Sequence, residues 1–356
     1  MDWQFLAFSL AKILVVFAVV MTMVAYAVLV ERKVSAFIQD RVGPNRANPF
    51  FARYIPYLGM KLVRWGIFQP MADALKAILK EDYTPAHVRK VYFWIAPALA
   101  MVPALLTLAV IPFGSQLGAQ KMVIADLDVG VLYTFGIVSL GVYGIVLAGY
   151  AANSKYPFLG GIRSSAQMIS YEIAMGLSVI PVFLLVGSLN LSDVIGAQSG
   201  SLLAWHVFKQ PVAFFVFLVA AFAETNRLPF DLPEAETELV GGYHTEYSSM
   251  KFALFFLGEY AAMISVSAMM VTLFFGGWTL PFLGLDQPAQ SLWVGLLHIL
   301  IFFLKLCVLL VGIIWVRWML PRFRYDQLMD LGWRRFIPVA LANIVVTAGV
   351  LAMMHR

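Results

Sequence analysis

AETNRLPFDLPEAETELVGGYHTEY, residues Ala223–Tyr247, sits between two apolar runs near 204–223 and 252–275. It carries six acids, Glu224, Asp231, Glu234, Glu236, Glu238 and Glu246, and a single base, Arg227. The whole chain has 20 acids and is 61% hydrophobic, with only 13% of residues charged. Charge placed beside a bilayer has to be kept wet or paired. The stretch is therefore either a solvated loop or a site, and the sequence around it decides between the two.

Working outward, the flanking runs are two of many. Mean hydropathy is +0.82 over 356 residues, and 14% of residues are aromatic, which takes the chain out of the soluble class. Eight runs are long enough to cross a hydrocarbon core of about 30 Å. They lie near 5–30, 91–111, 132–152, 170–189, 204–223, 252–275, 292–316 and 334–353. We therefore expect an all-α polytopic membrane protein, a single integral membrane domain over 1–356 with eight transmembrane helices. The first run is read as a retained helix rather than a signal peptide, because Asp2 stands where a basic segment belongs and Glu31, Arg32 and Lys33 follow a long apolar run.

Basic residues orient these spans. The odd-numbered connections, 31–90, 153–169, 224–251 and 317–335, hold 11, 2, 2 and 5 Lys and Arg, twenty in all. The even-numbered connections, with the span edges they join, hold only two, Lys121 and Lys209. The positive-inside rule then predicts cytoplasmic odd connections and both termini outside. It also puts the acidic stretch on the side that carries the basic excess.

The long cytoplasmic first connection opens with a turn at Gly43, Pro44 and Asn45. Between Pro70 and Glu81, Met71, Leu75, Ile78 and Leu79 recur at helical spacing opposite Asp73, Lys76 and Lys80. That spacing predicts an amphipathic helix lying in the membrane interface or packed on a partner protein.

Redox chemistry has few ligands to work with. Cys307 is the sole cysteine, so the chain alone builds no disulfide, Cys-based zinc site or iron-sulfur cluster. The five histidines lie on separate segments without metal-ligand spacing, so no metal site is expected. Electrons, if any pass, must come from a partner.

Four charged groups in or against the spans stand out. Glu172 stands near the cytoplasmic start of the fourth, Glu224 at the end of the fifth, Glu259 about 10 Å into the sixth and Lys305 midway along the seventh. Intramembrane charges cost about 2.5–3.5 kcal/mol on the insertion scale and face a wet interior or a partner. Two arrangements satisfy that: a wet carboxylate chamber leading inward from the acidic stretch, or a structural Glu259–Lys305 ion pair. Lys12, nearer the outer end of the first span, is able to snorkel. Pro229 and Pro233 stop a helix before Glu234, Glu236 and Glu238, and irregular backbone at this depth is tolerated only inside protein or along a cavity.

These residues carry a resemblance. Glu31-Arg32-Lys33, Arg41 to Asn45, QPMADALKAILKE (69–81), NSKYPFLGGIRSSAQMISYE (153–172), the acidic stretch, FFLGEY (255–260) and LPRFRYDQLMDLGW (320–333) are similar, in order, to the H subunit of the proton-pumping respiratory NADH:quinone oxidoreductase, complex I. The mitochondrial member is called subunit 1, and the resemblance implies a bacterial or mitochondrial inner membrane. One segment departs from that pattern, NPFFARYIPYLGMKLVRWGIF between the turn and Gln69, where a shorter connection is expected. The resemblance implies a subunit without a redox centre at the junction of the membrane and hydrophilic arms. It implies a quinone tunnel, for ubiquinone or menaquinone, with Glu31, Arg32, Arg41, Asp73 and Glu81 along it. Glu172, Glu224, Arg227, Asp231, Glu234, Glu236, Glu238 and Glu246 would line a chamber coupling quinone reduction to proton pumping. Lys305 joins them on the argument from depth. FMN, the iron-sulfur clusters and NADH belong to partner subunits. The partners are the quinone-site and terminal iron-sulfur subunits, small membrane-arm subunits and lipid, with no nucleic acid.

Two other readings compete. One is the equivalent subunit of a membrane-bound hydrogenase, formate hydrogenlyase, or an F420H2- or ferredoxin-linked relative, since the electron donor is read elsewhere. The other is a standalone cation or proton transporter, although no inverted repeat with paired broken helices is visible in the sequence.

Overall fold

A computed structural model describes residues 3–47, 49, 56–118, 120–233 and 236–354, with backbone only for 3–6, 56–60, 236, 237 and 283. Helix α1 spans Trp3–Ile38, α2 Pro56–Trp65 and α3 Gln69–Leu79. Helix α4, Lys90–Leu106, tightens into a 3-10 turn at Thr107–Val110, and a short hairpin follows, β1 (Gln116–Leu117) with β2 (Gln120–Lys121). Then come α5 (Gly130–Ala151), α6 (Lys155–Val186), α7 (Leu191–Gly196), α8 (His206–Lys209) and α9 (Pro211–Glu224). The acidic stretch holds only α10, Glu236–Leu239, before α11 (Ser249–Phe274) and α12 (Leu292–Met319). Helix α13 (Tyr325–Asp330) runs through a π turn at Leu331–Phe336 into α14 (Ile337–Met354).

The all-α polytopic fold is as expected, and among the described residues seven helices are long and apolar enough to span. The remaining expected span, the fifth, at 204–223, is a broken one. It is split at Gln210 into α8 and the 14-residue α9, about 21 Å long. Pro211 supplies no N–H and disfavours helical backbone in the residue before it. The break sits inside the bundle, where Gln210 Nε2 donates to Thr347 Oγ1 at 3.1 Å and Asn343 Nδ2 donates to Gln210 Oε1 at 3.1 Å. A second correction concerns α6. It begins at Lys155 rather than near 170, so Glu172 lies seventeen residues, about 26 Å, into the helix and not at its start.

Helix α11 is the central post: its apolar window is the most buried of the seven, at 72%, against 22% for α1 and 17% for the last span. An apolar helix buried on all sides belongs in a core, whereas one apolar on a lipid-facing side belongs at the rim. It touches α1, α4, α9 and α12. Close approach to α4 depends on two glycines. A Cβ on Gly144 of α5 would stand 2.5 Å from Ala100 N, and one on Gly258 of α11 would stand 3.1 Å from Met101 Cα. Small residues at such crossings let helix backbones pack closely where lipid offers no hydrophobic drive.

The amphipathic helix is α3. Leu75, Ile78 and Leu79 are exposed, so among the described residues nothing covers its apolar face. Its polar face is tied down: Arg32 Nη1 donates to Asp73 Oδ2 at 2.7 Å, and Ser249 Oγ donates to Ala77 O and Lys80 O at 3.0 and 2.8 Å.

Candidate functional site

The first half of the acidic stretch is not a wet loop. Thr225, Asn226, Arg227, Phe230, Asp231 and Leu232 are all buried. Pro229 and Pro233 deny it a helix, so it turns on itself, with Phe230 N donating to Arg227 O at 2.8 Å and Leu232 N to Phe230 O at 3.0 Å. Its remaining carbonyls need partners, since buried backbone polar groups are costly when unpaired. Gln167 of α6 supplies them: its Nε2 reaches Ala223 O at 2.7 Å, Phe230 O at 2.8 Å and Asn226 Oδ1 at 3.2 Å. Phe323 N donates to Pro229 O at 3.0 Å and its ring stacks on Phe230, which binds the segment after α12 to the same loop.

This fold brings Arg227 to two acids distant in sequence. Its Nη1 lies 3.4 Å from Glu31 Oε2 of α1, and its Nε lies 2.6 Å from Glu259 Oε1 of α11. The guanidinium also sits 4.3 Å over the Tyr260 ring, whose hydroxyl donates to Glu31 Oε2 at 2.7 Å. Arg317 at the end of α12 pairs with the other Glu31 oxygen, and Arg322 Nη2 pairs with Asp231 Oδ2 at 2.8 Å. Arg227 and Arg317 thus join Glu31 and Glu259, and the Arg322–Asp231 pair acts on Glu259 through the charge of Asp231, so three carboxylates and three guanidiniums make one largely buried electrostatic network. Burying one such ion is expensive, and only a matched and hydrogen-bonded set tolerates it.

A cavity of about 70 Å³ opens beside this network, lined among others by Glu224, Asn226, Tyr243, Glu259, Ser265 and Thr107. It is polar on one side and roomy enough for water. Glu224 is buried, its Oε2 has no hydrogen-bond partner among the described residues, and Glu172 is the neighbouring carboxylate whose charge acts on it. The cavity therefore runs from the ion-pair network at Glu259 to Glu224.

The other sequence-predicted residues are distributed differently. Glu31, expected along a tunnel, and Arg227, expected in a chamber, are in contact and make one site. Arg32 and Asp73 pair across α1 and α3, both partly exposed. Arg41 is exposed and donates to Gln39 Oε1 at 2.8 Å, and Glu81 is exposed. Glu238 pairs at the surface with Arg163 Nη1 at 2.6 Å, and Glu246 Oε2 lies 3.8 Å from His87 Nε2, so neither joins the buried network. Glu234 lies outside the described residues, and only the backbone of Glu236 is described.

Lys305 excludes one of the two arrangements that its depth left open. It does not pair with Glu259. Its Nζ donates to Phe275 O, Gly277 O and Thr279 O at 2.7, 2.9 and 2.7 Å, and lies 4.5 Å from the Trp205 ring centroid. All three N–H bonds of the ammonium are used, on the carbonyl of the α11 C-cap residue Phe275 and on two carbonyls of the turn just after it, where the helix dipole favours a cation. Glu259 is fifteen residues, about 22 Å, back along α11.

Sequence reasoning missed Arg317, Arg322, Tyr260 and Gln167. The two arginines had a readable signal: buried acids require cations, and both lie just past an apolar run. Just outside the spans, burial pushes the His244 imidazole down to about 4 and the Tyr247 hydroxyl upward. His244 is wedged edge-on against Phe252 and Phe256.

A family profile described as NADH dehydrogenase matches residues 11–348. The chain is 44% identical over 357 residues to the NADH-quinone oxidoreductase H subunit 1 of Cytophaga hutchinsonii, covering 98% of each chain. It is 47% identical over 355 residues to the NADH-quinone oxidoreductase H subunit of Flavobacterium psychrophilum, again covering 98% of each. With the NADH-quinone oxidoreductase H subunit 2 of Geobacter sulfurreducens it shares 48% identity over 345 residues, covering 96% of this chain and 95% of the relative.

Proposed function

Since the chain belongs to the H-subunit family of NADH-quinone oxidoreductases, we propose that it is the membrane subunit through which a proton-translocating complex of that kind joins quinone reduction to proton movement. It is a multi-pass membrane protein, and the basic-residue bias puts both termini outside and α3 on the cytoplasmic side. The NADH site, FMN and iron-sulfur clusters belong to partner subunits of the hydrophilic arm, and the substrate that meets this chain is a quinone.

The contact of Arg227 with both Glu31 and Glu259 carries this reading. Glu31 stands on α1 next to Arg32, whose partner Asp73 lies on the amphipathic helix, the side from which a lipid-borne quinone would enter. Glu259 lines the water-sized cavity that reaches Glu224. A quinone headgroup gains negative charge as it is reduced and then takes up protons. Negative charge near Glu31 changes the balance that holds Arg227 between the two acids, because charge partners set which protonation state each carboxylate prefers. As Arg227 shifts its weight toward Glu31, Glu259 loses its counter-ion and becomes a proton acceptor at the cavity mouth. Glu224 and Glu172 receive that proton next.

Glu224→Gln tests the relay. NADH oxidation by an artificial acceptor should be unchanged while quinone reductase activity falls by at least about tenfold, the loss of one proton-transfer group. Wild-type quinone reductase rates in a fully assembled Glu224→Gln complex would refute the proposal.

A further inference from the structure

A second, larger cavity takes no part in that relay. It measures about 360 Å³ and lies between α1, α11 and α12. Along α1 its wall runs from Phe8 to Met23, fifteen residues and about 22 Å. Of its nineteen lining residues only Lys12 has a polar side chain, the rest being Val, Leu, Ile, Phe, Met and Ala. The volume lies within the range of small-molecule sites, but such sites normally carry several converging polar groups. This one has a long apolar trough and one cation at one end.

That cation is unusual in its surroundings. Lys12 Nζ donates to Val123 O at 3.0 Å and Lys121 O at 3.5 Å, and stands 5.5 Å from the Phe8 ring centroid. No carboxylate lies within ion-pair distance of it among the described residues. The nearby Lys121 is already matched, its Nζ 2.5 Å from Asp126 Oδ2. One ammonium N–H is left over after the two carbonyls, together with a whole uncompensated charge. An intramembrane cation of this kind ordinarily faces water or an anion. Val15 and Val19, which line the trough, are well exposed, so the trough opens sideways at the rim of the bundle.

We propose that this cavity holds one acyl chain of an anionic phospholipid, with the lipid phosphate on Lys12. The headgroup lies at the end of α1 that the basic-residue bias puts outside, and the chain descends past Val15, Val19 and Met23 towards mid-bilayer. A quinone would bring a neutral headgroup that needs hydrogen-bond donors, and the trough offers none apart from Lys12. The inference does not depend on the proton relay, and its test reads lipid rather than turnover.

The test is native mass spectrometry of the intact delipidated complex titrated with dioleoyl phosphatidylglycerol or dioleoyl phosphatidylcholine. The wild-type complex should retain one more phosphatidylglycerol than Lys12→Gln, with affinity at that site falling on the order of tenfold, as for loss of one charge-assisted contact. Phosphatidylcholine, which has the same chains, should show no such difference, and inorganic phosphate should not compete. Val15→Trp, which fills the trough from its lipid-exposed side, should abolish the extra lipid while quinone reductase activity stays at the wild-type rate. Equal phosphatidylglycerol retention by wild type, Lys12→Gln and Val15→Trp would overturn the proposal. Displacement of the lipid by decylubiquinone would overturn it too, in favour of an isoprenoid occupant.

Discussion

Arg227→Gln is the sharpest perturbation of the buried network. The network holds three carboxylates, Glu31, Asp231 and Glu259, against three guanidiniums, Arg227, Arg317 and Arg322. Removing one cation leaves Glu259 without the partner 2.6 Å away and Glu31 with Arg317 and Tyr260 only. At an effective dielectric of 20, the gross attraction lost is about 6 kcal/mol to Glu259 and about 5 kcal/mol to Glu31. The net cost of orphaning a buried charge is smaller, about 3–5 kcal/mol, because water enters or a proton binds. Since a domain has only about 5–15 kcal/mol of stability, the variant should assemble poorly. In whatever complex assembles, quinone reductase should fall while oxidation by an artificial acceptor persists. The double variant Arg227→Gln with Glu259→Gln removes the orphaned charge and should regain assembly, measured on native gels, without regaining quinone reduction. An Arg227→Gln complex that assembles normally and pumps at the wild-type proton-to-electron ratio would refute the argument.

Three further outcomes follow from other parts of the molecule. Lys305→Met removes three charge-assisted bonds to carbonyls and should lower the thermal midpoint of the complex at a cost of at least about 2 kcal/mol; a stably assembled variant that loses pumping per electron instead would mean Lys305 acts in coupling. Gly144→Val, whose Cβ would meet Ala100 N at 2.5 Å, should separate α4 from α5 and abolish assembly, whereas a wild-type yield would show that the helices can part at no cost. His244 stays neutral in the folded protein down to about pH 4 while the unfolded chain binds a proton near 6.5, so its burial costs stability as pH falls from 6.5 towards 4, by at most about 3 kcal/mol. His244→Phe should flatten that acid limb in a denaturation series, and an unchanged limb would assign it to other groups.

The spans were legible because about 20 consecutive apolar residues leave little else for a chain to do. Hydropathy is blind to what a proline does inside such a run, which is why 204–223 reads as one helix and folds as α8, a break and α9. It is equally blind to extension beyond the apolar run. Helix α6 begins fifteen residues early because Gly160 and Gly161 let its first turns pack under the acidic loop and against α5, a tertiary reward invisible to a sliding window. The amphipathic helix α3, by contrast, was readable to within two residues, since its periodicity is local and its faces are chemically distinct.

The site was legible as a list of charges but not as a set of pairs. Depth along a helix left a Glu259–Lys305 pair open as one of two arrangements, yet backbone carbonyls at a helix end compete for an ammonium as well as a carboxylate does, and they leave no trace in composition. The acidic stretch shows the same limit within 25 residues. Its first half is drawn inward by Gln167 and its own base serves acids on α1 and α11; its second half keeps Glu238 and Glu246 at the surface with Arg163 and His87. Because Arg227 is spent on Glu31 and Glu259, the cations that balance the rest of the network come from the end of α12 and the segment after it, as Arg317 and Arg322. The acidic stretch is thus one half of a site whose other half lies some ninety residues later. Any movement of the α12 end relative to α1 must change the charge balance around Arg227. In the proposed relay that dependence is what would let the network transmit, because a shift at either end alters which carboxylate beside the Glu224 cavity is left without a cation.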